Sequence, residues 1–447
     1  KKVVVVSDDP SGLSRGDFAS GVEILHRDQL QSVMKDMQQV KGVSVIIYVQ
    51  TCATELRRRR KRGLADDPAR RAYINHRVCE GCGDCSEKSN CLSVQPLETE
   101  LGRKRVIDQS ACNKDFSCVK GFCPSFVTIE GGELARGKGV RTDEDLFARL
   151  PEPAVIDSDE VYGALVCGIG GTGVVTISSL LGEAAKSEGK VSQVLDLTGM
   201  AQKFGAVYCH LKIGSKVEDL NATRLSVGKA NVLIGADIVT SASNEGLARL
   251  RPGFTKAVVN VHETVTGAFT RDGDFHIPVA EMRQAIERVT GGEGDFFDST
   301  ELSTRLTGDS IGANIMLLGY ACQKGYLPVK RESLEQAIAD NGVAVAYNLR
   351  AFSLGRLMAH APEKVEELME EGFLCAQWSV ESEDLEQLVG RRYRDLTDYQ
   401  DEAYARQYLK FVQEVRSAET VLGDATAITE AVARNLYKVM AYKDEYE

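Results

Sequence analysis

The sequence predicts an α/β protein of several parts, interrupted by a small cysteine-rich module and closing in an α-helical region. Three observations carry that prediction. Short β-branched runs alternate with helical apolar patterns in residues 1–55 and again in residues 161–261, the alternation that builds sheets covered by helices. Seven of the twelve cysteines fall between Cys79 and Cys123. From about residue 310 onward the apolar spacing is helical throughout. A chain of 447 residues has room for roughly two to four domains.

The first part is read from its apolar runs. Residues 3–6 (VVVV) form a short strand, and residues 7–10 a loop. Residues 28–40 place Leu30, Val33, Met34 and Met37 on one helical face. Residues 43–49 (VSVIIYV) are nearly all apolar, as in a strand buried on both faces of a parallel sheet. Residues 1–55 thus read as the last β-α-β turn of an α/β domain cut from a longer polypeptide. Cys52 reads as a packed core thiol. The basic run Arg57, Arg58, Arg59, Arg60, Lys61, Arg62 reads as a solvated helix end or a bridge to an acidic surface. A nucleic-acid patch would call for interleaved aromatics, which are missing. A third use is to offer positive charge to nearby anionic clusters.

The cysteines are spaced Cys79-x2-Cys82-x2-Cys85-x5-Cys91 and then Cys112-x5-Cys118-x4-Cys123-Pro124. The opening C-x2-C-x2-C puts three thiolates on one tight loop, where they can hold three corners of an iron–sulfur cube. In two-cluster ferredoxins the fourth thiolate is a remote Cys before Pro, the character of Cys123 here. Residues 70–135 therefore read as a ferredoxin-like iron–sulfur module, with a 4Fe–4S cluster on Cys79, Cys82, Cys85 and Cys123. Cys91, Cys112 and Cys118 would supply three ligands of a second cluster whose fourth cysteine is missing. That leaves open a three-iron centre, a non-cysteine ligand, or no second cluster. Zinc would favour paired C-x2-C knuckles, and the second half has none. A disulfide framework belongs to small secreted domains.

Residues 130–159 are Gly-rich, then charged, with Pro151 and Pro153, and read as a linker. A strand at 161–167 runs into Gly168, Ile169, Gly170, Gly171, Thr172, Gly173 and a helix at 174–186. Strand, glycine loop and helix form a Rossmann-like unit, in which backbone N–H groups can hold a phosphate. A purely structural tight turn would look the same. Asp196, ending the strand at 191–196, stands about where a ribose-binding acid would. Further strands are expected at 206–213, 231–239 and 256–261. The segment 198–210 (TGMAQKFGAVYCH) is expected beside the glycine loop. His210, Asn244 and Glu245 read as site residues or as satisfied structural ones. Helices are expected at 311–324, 332–341 and 345–360, and through the last eighty residues. Tyr393, Tyr399, Tyr404 and Tyr408 read as packing aromatics.

A net charge of −11 argues against nucleic acid or an anionic membrane as the main partner. No apolar run approaches the eighteen or so residues of a membrane helix. With no secretory segment in view, free thiols fit a cytoplasmic, reducing setting.

Taken together, the chain resembles the long, fused form of indolepyruvate:ferredoxin oxidoreductase, of the thiamine-diphosphate-dependent 2-oxoacid:ferredoxin oxidoreductase family. The stretches that carry the resemblance are residues 48–63 (YVQTCATELRRRRKRG), 78–83 (VCEGCG), 90–96 (NCLSVQP), 107–126 (IDQSACNKDFSCVKGFCPSF), 167–175 (CGIGGTGVV) and 195–211 (LDLTGMAQKFGAVYCHL). The resemblance implies that residues 1–65 are the tail of a thiamine-diphosphate-type α/β domain. Residues 158–345 would be a gamma-type α/β domain, and residues 346–447 a helical C-terminal region. It implies oxidative decarboxylation of a 2-oxoacid, electrons passing through iron–sulfur to ferredoxin, and coenzyme A taking the acyl group. The cofactor carries the organic step and the protein positions it. Gly168, Gly170, Gly171, Thr172 and Gly173 would wall the thiamine or coenzyme A site. A homodimer is implied too. One departure stands out: the G-D-G with distal Asn that holds Mg²⁺ and diphosphate is nowhere in residues 1–447. This chain alone is therefore expected to be inactive and to need the thiamine-diphosphate domains that precede it. The rival readings are an iron–sulfur carrier without chemistry of its own, the iron–sulfur module of a flavin- or pyridine-nucleotide-dependent reductase, and a zinc-bearing nucleic-acid protein.

Overall fold

The structure is a computed structural model that describes the chain except residues 122, 133–138, 140–143, 158–159, 200–204, 265–266, 270–271, 273–274, 374–383, 422, 424–425 and 442–447. Parts of the expected linker and of segment 198–210, and the chain's end, lie outside the described residues. Two units are present. The first comprises Lys1–Glu98, Arg103–Leu134 and Val265–Phe275, the second Thr99–Gly102, Ala135–Thr264 and His276–Glu447.

In the first unit β1 (Lys2–Ser7) lies between β2 (Glu23–His26) and β3 (Ser44–Val49), all parallel. Helix α1 (Leu30–Gln38) buries Val33 and Met37 against Val4 and Val6. The buried stripe is narrower than the sequence suggests: Met34, at its edge, is 50% exposed. β3 corrects a second expectation. It does pair in parallel with β1, but it is an edge strand, and Val43, Val45, Ile47 and Tyr48 are exposed. Helix α2 (Ala53–Lys61) carries the basic run. Cys52 stands at its N-cap position and is exposed, so it is not a core thiol.

The cysteine module follows. It contains β4 (Arg70–Ile74), α3 (Asp84–Ser89), the hairpin β5 (Val94–Thr99) and β6 (Gly102–Ile107), and β7 (Phe126–Glu130), which returns antiparallel to β4. Ala72, Ile74, Cys79, Val94 and Ile107 make its small core, with Cys85, Cys91, Cys112, Cys118 and Phe116 packed around them.

The second unit begins with α4 (Glu144–Ala148) and β8 (Tyr162–Ile169), then α5 (Val174–Ser187), β9 (Val191–Thr198), β10 (Ala206–Gly214) and β11 (Val232–Gly235). Two single turns, α6 (Ile238–Ser241) and α7 (Asn244–Leu247), lead to β12 (Lys256–Asn260), α8 (Val279–Thr290), β13 (Gly294–Phe297) and α9 (Ser299–Thr307). The six strands lie in the order β13-β12-β11-β8-β10-β9. β10 runs antiparallel to both neighbours, and the other pairs are parallel. Strand β8 is buried along nearly its whole length, as a central strand covered on both faces must be. β11 ends four residues before the expected 239, because Asp237 leaves the strand to cap α6.

Helices α10 (Ala313–Gln323), α11 (Arg331–Asp340), α12 (Val345–His360) and α13 (Pro362–Phe373) follow. α12 does not open a separate helical region. Its Ala351, Phe352, Leu354 and Leu357 share one core with α10, α5 and the sheet. The last three helices, α14 (Leu385–Tyr399), α15 (Glu402–Thr420) and α16 (Ala427–Met440), build their own core around Leu388, Leu396, Ala405, Tyr408 and Val412. Tyr393 and Tyr404 pack on it, and Tyr399 stacks on Tyr404 with ring centroids 6.2 Å apart. Among the described residues no helix is long and apolar enough to cross a membrane.

Candidate functional site

The β4–β7 ladder frames the first cysteine loop. It ends with Ile74 opposite Phe126, and just beyond it the Asn75 N–H donates to the Ser125 carbonyl (2.8 Å). The Asn75 carbonyl then accepts from the N–H groups of Val78 and Cys79 (3.1 and 3.0 Å). The Cys79 turn therefore starts where the ladder stops, and Cys123, two residues from Ser125, comes to the same end. From Cys79 the chain turns through Gly81 and Gly83, both left-handed (φ +77° and +88°), into α3. A Cβ on Gly81 would lie 2.3 Å from the Arg103 carbonyl oxygen. The Gly81 N–H donates to Cys79 Sγ (3.3 Å). Cys79 is buried, Cys85 half-buried and Cys82 exposed. Burial pushes the Cys85 thiol up, against a hydrogen bond from Ser86; Cys79 and Cys82 push it further up, and Arg105 draws it down. Arg105 is itself buried, its guanidinium 4.8 Å from the Phe269 ring centroid.

Cys91, Cys112 and Cys118 form a second group. The Val94 N–H donates to the Cys91 carbonyl, the Asp108 N–H to Ser93, and the Cys112 N–H to Asp108 (3.1, 2.8 and 3.0 Å). Through these bonds the β5–β6 hairpin returns Cys112 to the side of Cys91. Burial pushes the Cys118 thiol up to about 12, with Cys91, Cys112 and Asp115 adding to it. The Lys114 N–H donates to Cys112 Sγ (3.3 Å). The basic helix α2 docks here rather than facing only solvent. Arg57 Nη1 donates to the Ser110 carbonyl (2.9 Å), and Arg60 Nη1 to the Asn113 carbonyl (2.8 Å). Arg58 and Arg59 pair with Glu55 on their own helix.

Among the described residues, no three His, Cys, Asp or Glu side chains converge tightly enough to hold a single metal ion. A cluster asks for something different, since each thiolate binds its own iron and the sulfurs stand farther apart. Two groups of three thiols, each with a peptide N–H directed at one sulfur, are a donor set that fits iron–sulfur clusters. The raised thiols of Cys85 and Cys118 would release protons on loading, since thiolate is the ligand form.

At the carboxyl end of β8 the glycine loop is built tightly. A Cβ on Gly168 would meet the Ala236 Cβ at 2.6 Å and Val174 Cγ2 at 2.9 Å, so this glycine serves packing. Gly171 (φ +97°) has open space around it. The Gly170 N–H donates to the Gly205 carbonyl (2.7 Å), placing the start of β10 beside the loop as expected. Thr172 Oγ1 donates to the Ile169 carbonyl (2.8 Å), and Asn314 Nδ2 to the Thr172 carbonyl. Asp196 is not placed as a ribose acid. Strand β10 stands between β8 and β9, so Asp196, opposite Cys209, is about 9.5 Å away across two strand spacings.

His210 is structural. It is fully buried and its Nδ1 accepts from the Leu225 N–H (3.4 Å). Burial holds it down at about 4, helped by Arg249. Glu245 pairs with Arg224 and Arg249 (2.7 and 2.8 Å). Sequence reasoning missed a polar set at the carboxyl ends of β11, β12 and β13. Asp237 is buried, its Oδ1 accepting from the Thr240 N–H (2.8 Å), and burial raises it. His262 Nδ1 lies 2.9 Å from Asp298 Oδ2, a hydrogen bond that raises the imidazole against burial. Asn260 ties the set together, its Nδ2 donating to the Ala236 carbonyl (3.1 Å) and its Oδ1 accepting from the His262 and Ser299 N–H groups (3.2 and 3.1 Å). The signal available was a polar residue at each strand end, with Asp237 and Asp298 directly before a helix start.

Residues 163–358 match the family model of pyruvate ferredoxin/flavodoxin oxidoreductase, and residues 385–447 a family of unknown function (DUF6537). The indolepyruvate oxidoreductase subunit IorB of Thermococcus kodakarensis is 28% identical over 200 residues, 43% of this chain and 94% of that protein. IorB of Pyrococcus horikoshii is likewise 28% identical over 200 residues. Among solved structures, the PORC subunit of pyruvate oxidoreductase from Thermotoga maritima is 21% identical with a TM-score of 0.32, covering 44% of this chain and 96% of that one. The 2-oxoglutarate:ferredoxin oxidoreductase of Magnetococcus marinus is 16% identical with a TM-score of 0.35, covering 46% of this chain and 32% of that one. The family model and the relatives define a class of pyruvate and indolepyruvate oxidoreductases. Residues 163–358 are similar to members of that class, indolepyruvate oxidoreductase subunits among them.

Proposed function

We propose that this chain is the electron-transfer and gamma-type portion of an indolepyruvate or aryl-pyruvate:ferredoxin oxidoreductase. The observation that carries the reading is the pair of three-cysteine groups in one small module, on a chain that also carries an oxidoreductase domain of this family. Iron–sulfur clusters bound there would supply one-electron transfer. The protein's share is to hold them. Cys79, Cys82, Cys85 and Cys123 ligate the first, and the Gly81 N–H and buried Arg105 favour the anionic form of the site. The Gly168–Gly173 loop walls a site for thiamine diphosphate or coenzyme A. The decarboxylating step, with Mg²⁺, belongs to thiamine-diphosphate domains of the same enzyme, because this chain lacks their G-D-G motif. Ferredoxin is the electron acceptor, the enzyme is cytoplasmic, and it works as a homodimer.

The reductase alternative rested on Asp196 as the partner of the glycine loop, and the intervening β10 removes that support. To test the reading, the full chain would be loaded anaerobically with iron and sulfide, reduced with dithionite, freed of reductant and mixed with a bacterial ferredoxin. The expected outcome is reduction of the ferredoxin, with no oxidation of indolepyruvate by the chain alone. A loaded chain that leaves ferredoxin oxidised would contradict the reading.

A further inference from the structure

The two cysteine loops are backbone copies of one another. The first runs Cys79, Glu80, Gly81, Cys82, Gly83, Asp84, Cys85, and the second Cys112, Asn113, Lys114, Asp115, Phe116, Ser117, Cys118. In the first, the residues on either side of the middle ligand are left-handed, Gly81 at φ +77° and Gly83 at +88°. In the second, the residues on either side of Asp115 are left-handed too, Lys114 at +53° and Phe116 at +58°. These account for two of the four non-glycine residues with positive φ among the described residues. The third residue of each loop donates its N–H to the sulfur of the first, at 3.3 Å in both. The left-handed residue after the middle position starts a helical turn in both, α3 after Gly83 and the 3-10 turn Ser117–Val119 after Phe116. Cys82 and Asp115 are both exposed, while Cys79, Cys85, Cys112 and Cys118 are buried or half-buried.

A bulky side chain is disfavoured in the left-handed region, because its Cβ crowds the carbonyl oxygen that follows. Two such residues flanking one position mean that the loop's shape is held for what it presents there. Their side chains are anchored accordingly, Lys114 Nζ 2.6 Å from Asp67 Oδ2 and Phe116 under the Arg70 guanidinium at 4.9 Å. The residue presented is an aspartate. Its Oδ1 accepts from the Ser117 N–H and Oγ (3.0 and 2.8 Å). The carboxylate has a second oxygen to offer, and carboxylate is an accepted iron ligand, though a harder one than thiolate.

We propose that Asp115 is the missing fourth ligand of the second cluster, completing a site of Cys91, Cys112, Cys118 and the Asp115 carboxylate. This rests on the reading of the module as iron–sulfur, and makes the second centre a four-iron cluster with one oxygen-ligated corner. The test uses the full chain loaded anaerobically, with iron and acid-labile sulfide counted and EPR recorded in the oxidised and reduced states. The wild type should hold about eight irons. Asp115→Ala should hold about seven and show the oxidised-state EPR signal of a three-iron centre, which a four-iron cube lacks. Asp115→Cys should restore about eight irons and abolish that signal. The first cluster's reduced-state signal, kept in both variants, shows that the module is folded. If Asp115→Ala keeps all the iron and its spectra, Asp115 is not a ligand. A wild type with about four irons would overturn the inference and leave the first cluster standing, and one with no iron would overturn both.

Discussion

Gly81 shows how narrowly the first loop is specified. It sits at φ +77°, and a Cβ there would stand 2.3 Å from a backbone oxygen that cannot swing aside. Gly81→Ala should therefore lower the module's stability by about 1–3 kcal/mol in urea unfolding, with loss of iron from the first centre before the second. His210 gives the second unit a pH dependence. In the unfolded chain its imidazole takes up a proton near its ordinary 6.5, whereas in the folded protein burial delays this to about 4. Between those values the unfolded state binds more protons, so stability is full above pH 6.5 and falls as pH drops toward 4. His262 acts in the opposite sense. Its bond to Asp298 raises it, so its contribution is present below pH 6.5 and is lost as pH rises past its folded value. His210→Asn keeps an acceptor for the Leu225 N–H but cannot protonate. Urea midpoints measured between pH 4 and 7 should fall less steeply in the variant, by up to one proton's worth of slope. An unchanged slope would mean that His210 is not buried neutral.

Among the elements, α2 joins the basic run to the cysteine module. Arg60 bonds the carbonyls of Asp66 and Asn113, and Asn113 follows Cys112 directly. Arg60→Ala should cost about 1–2 kcal/mol and loosen the second centre, read as faster iron release to a chelator than from the first. Equal release from both would contradict that placement. The strands show which features of the fold the sequence reveals. β1, β8 and α5 were legible because unbroken apolar runs and a glycine loop mark them. β2 and β13 were not, being four residues each, with Glu and His in one and Gly and Asp in the other. The reversed direction of β10 was invisible, because side-chain periodicity is the same for either direction. The place of β10 between β8 and β9 was equally invisible, and it is what sets Asp196 away from the glycine loop. β3 misled through its composition: an apolar run reports what could be buried, and its exposure depends on neighbours supplied from elsewhere.

At the scale of the whole molecule, the cysteine spacing located the candidate site more fully than any other signal. It puts Cys79, Cys82, Cys85 and Cys123 in one expected group and Cys91, Cys112 and Cys118 in another; Cys79 and Cys82 act on the Cys85 thiol, and Cys91 and Cys112 on that of Cys118. Asp115 was hidden by its chemistry, since one aspartate in a charged chain carries no mark until the backbone around it is seen to repeat. The polar set of Asp237, Asn260, His262 and Asp298 was hidden by distance, because only the sheet order brings those residues together. The central claim is that this module holds iron–sulfur centres on those cysteines. The most direct measurement is anaerobic iron and sulfide content with EPR of the dithionite-reduced full chain, before and after Cys82→Ser. The account predicts about eight irons in the wild type, and loss of the first centre's reduced signal in the variant with the second retained. Zinc in place of iron, or a variant indistinguishable from the wild type, would contradict it.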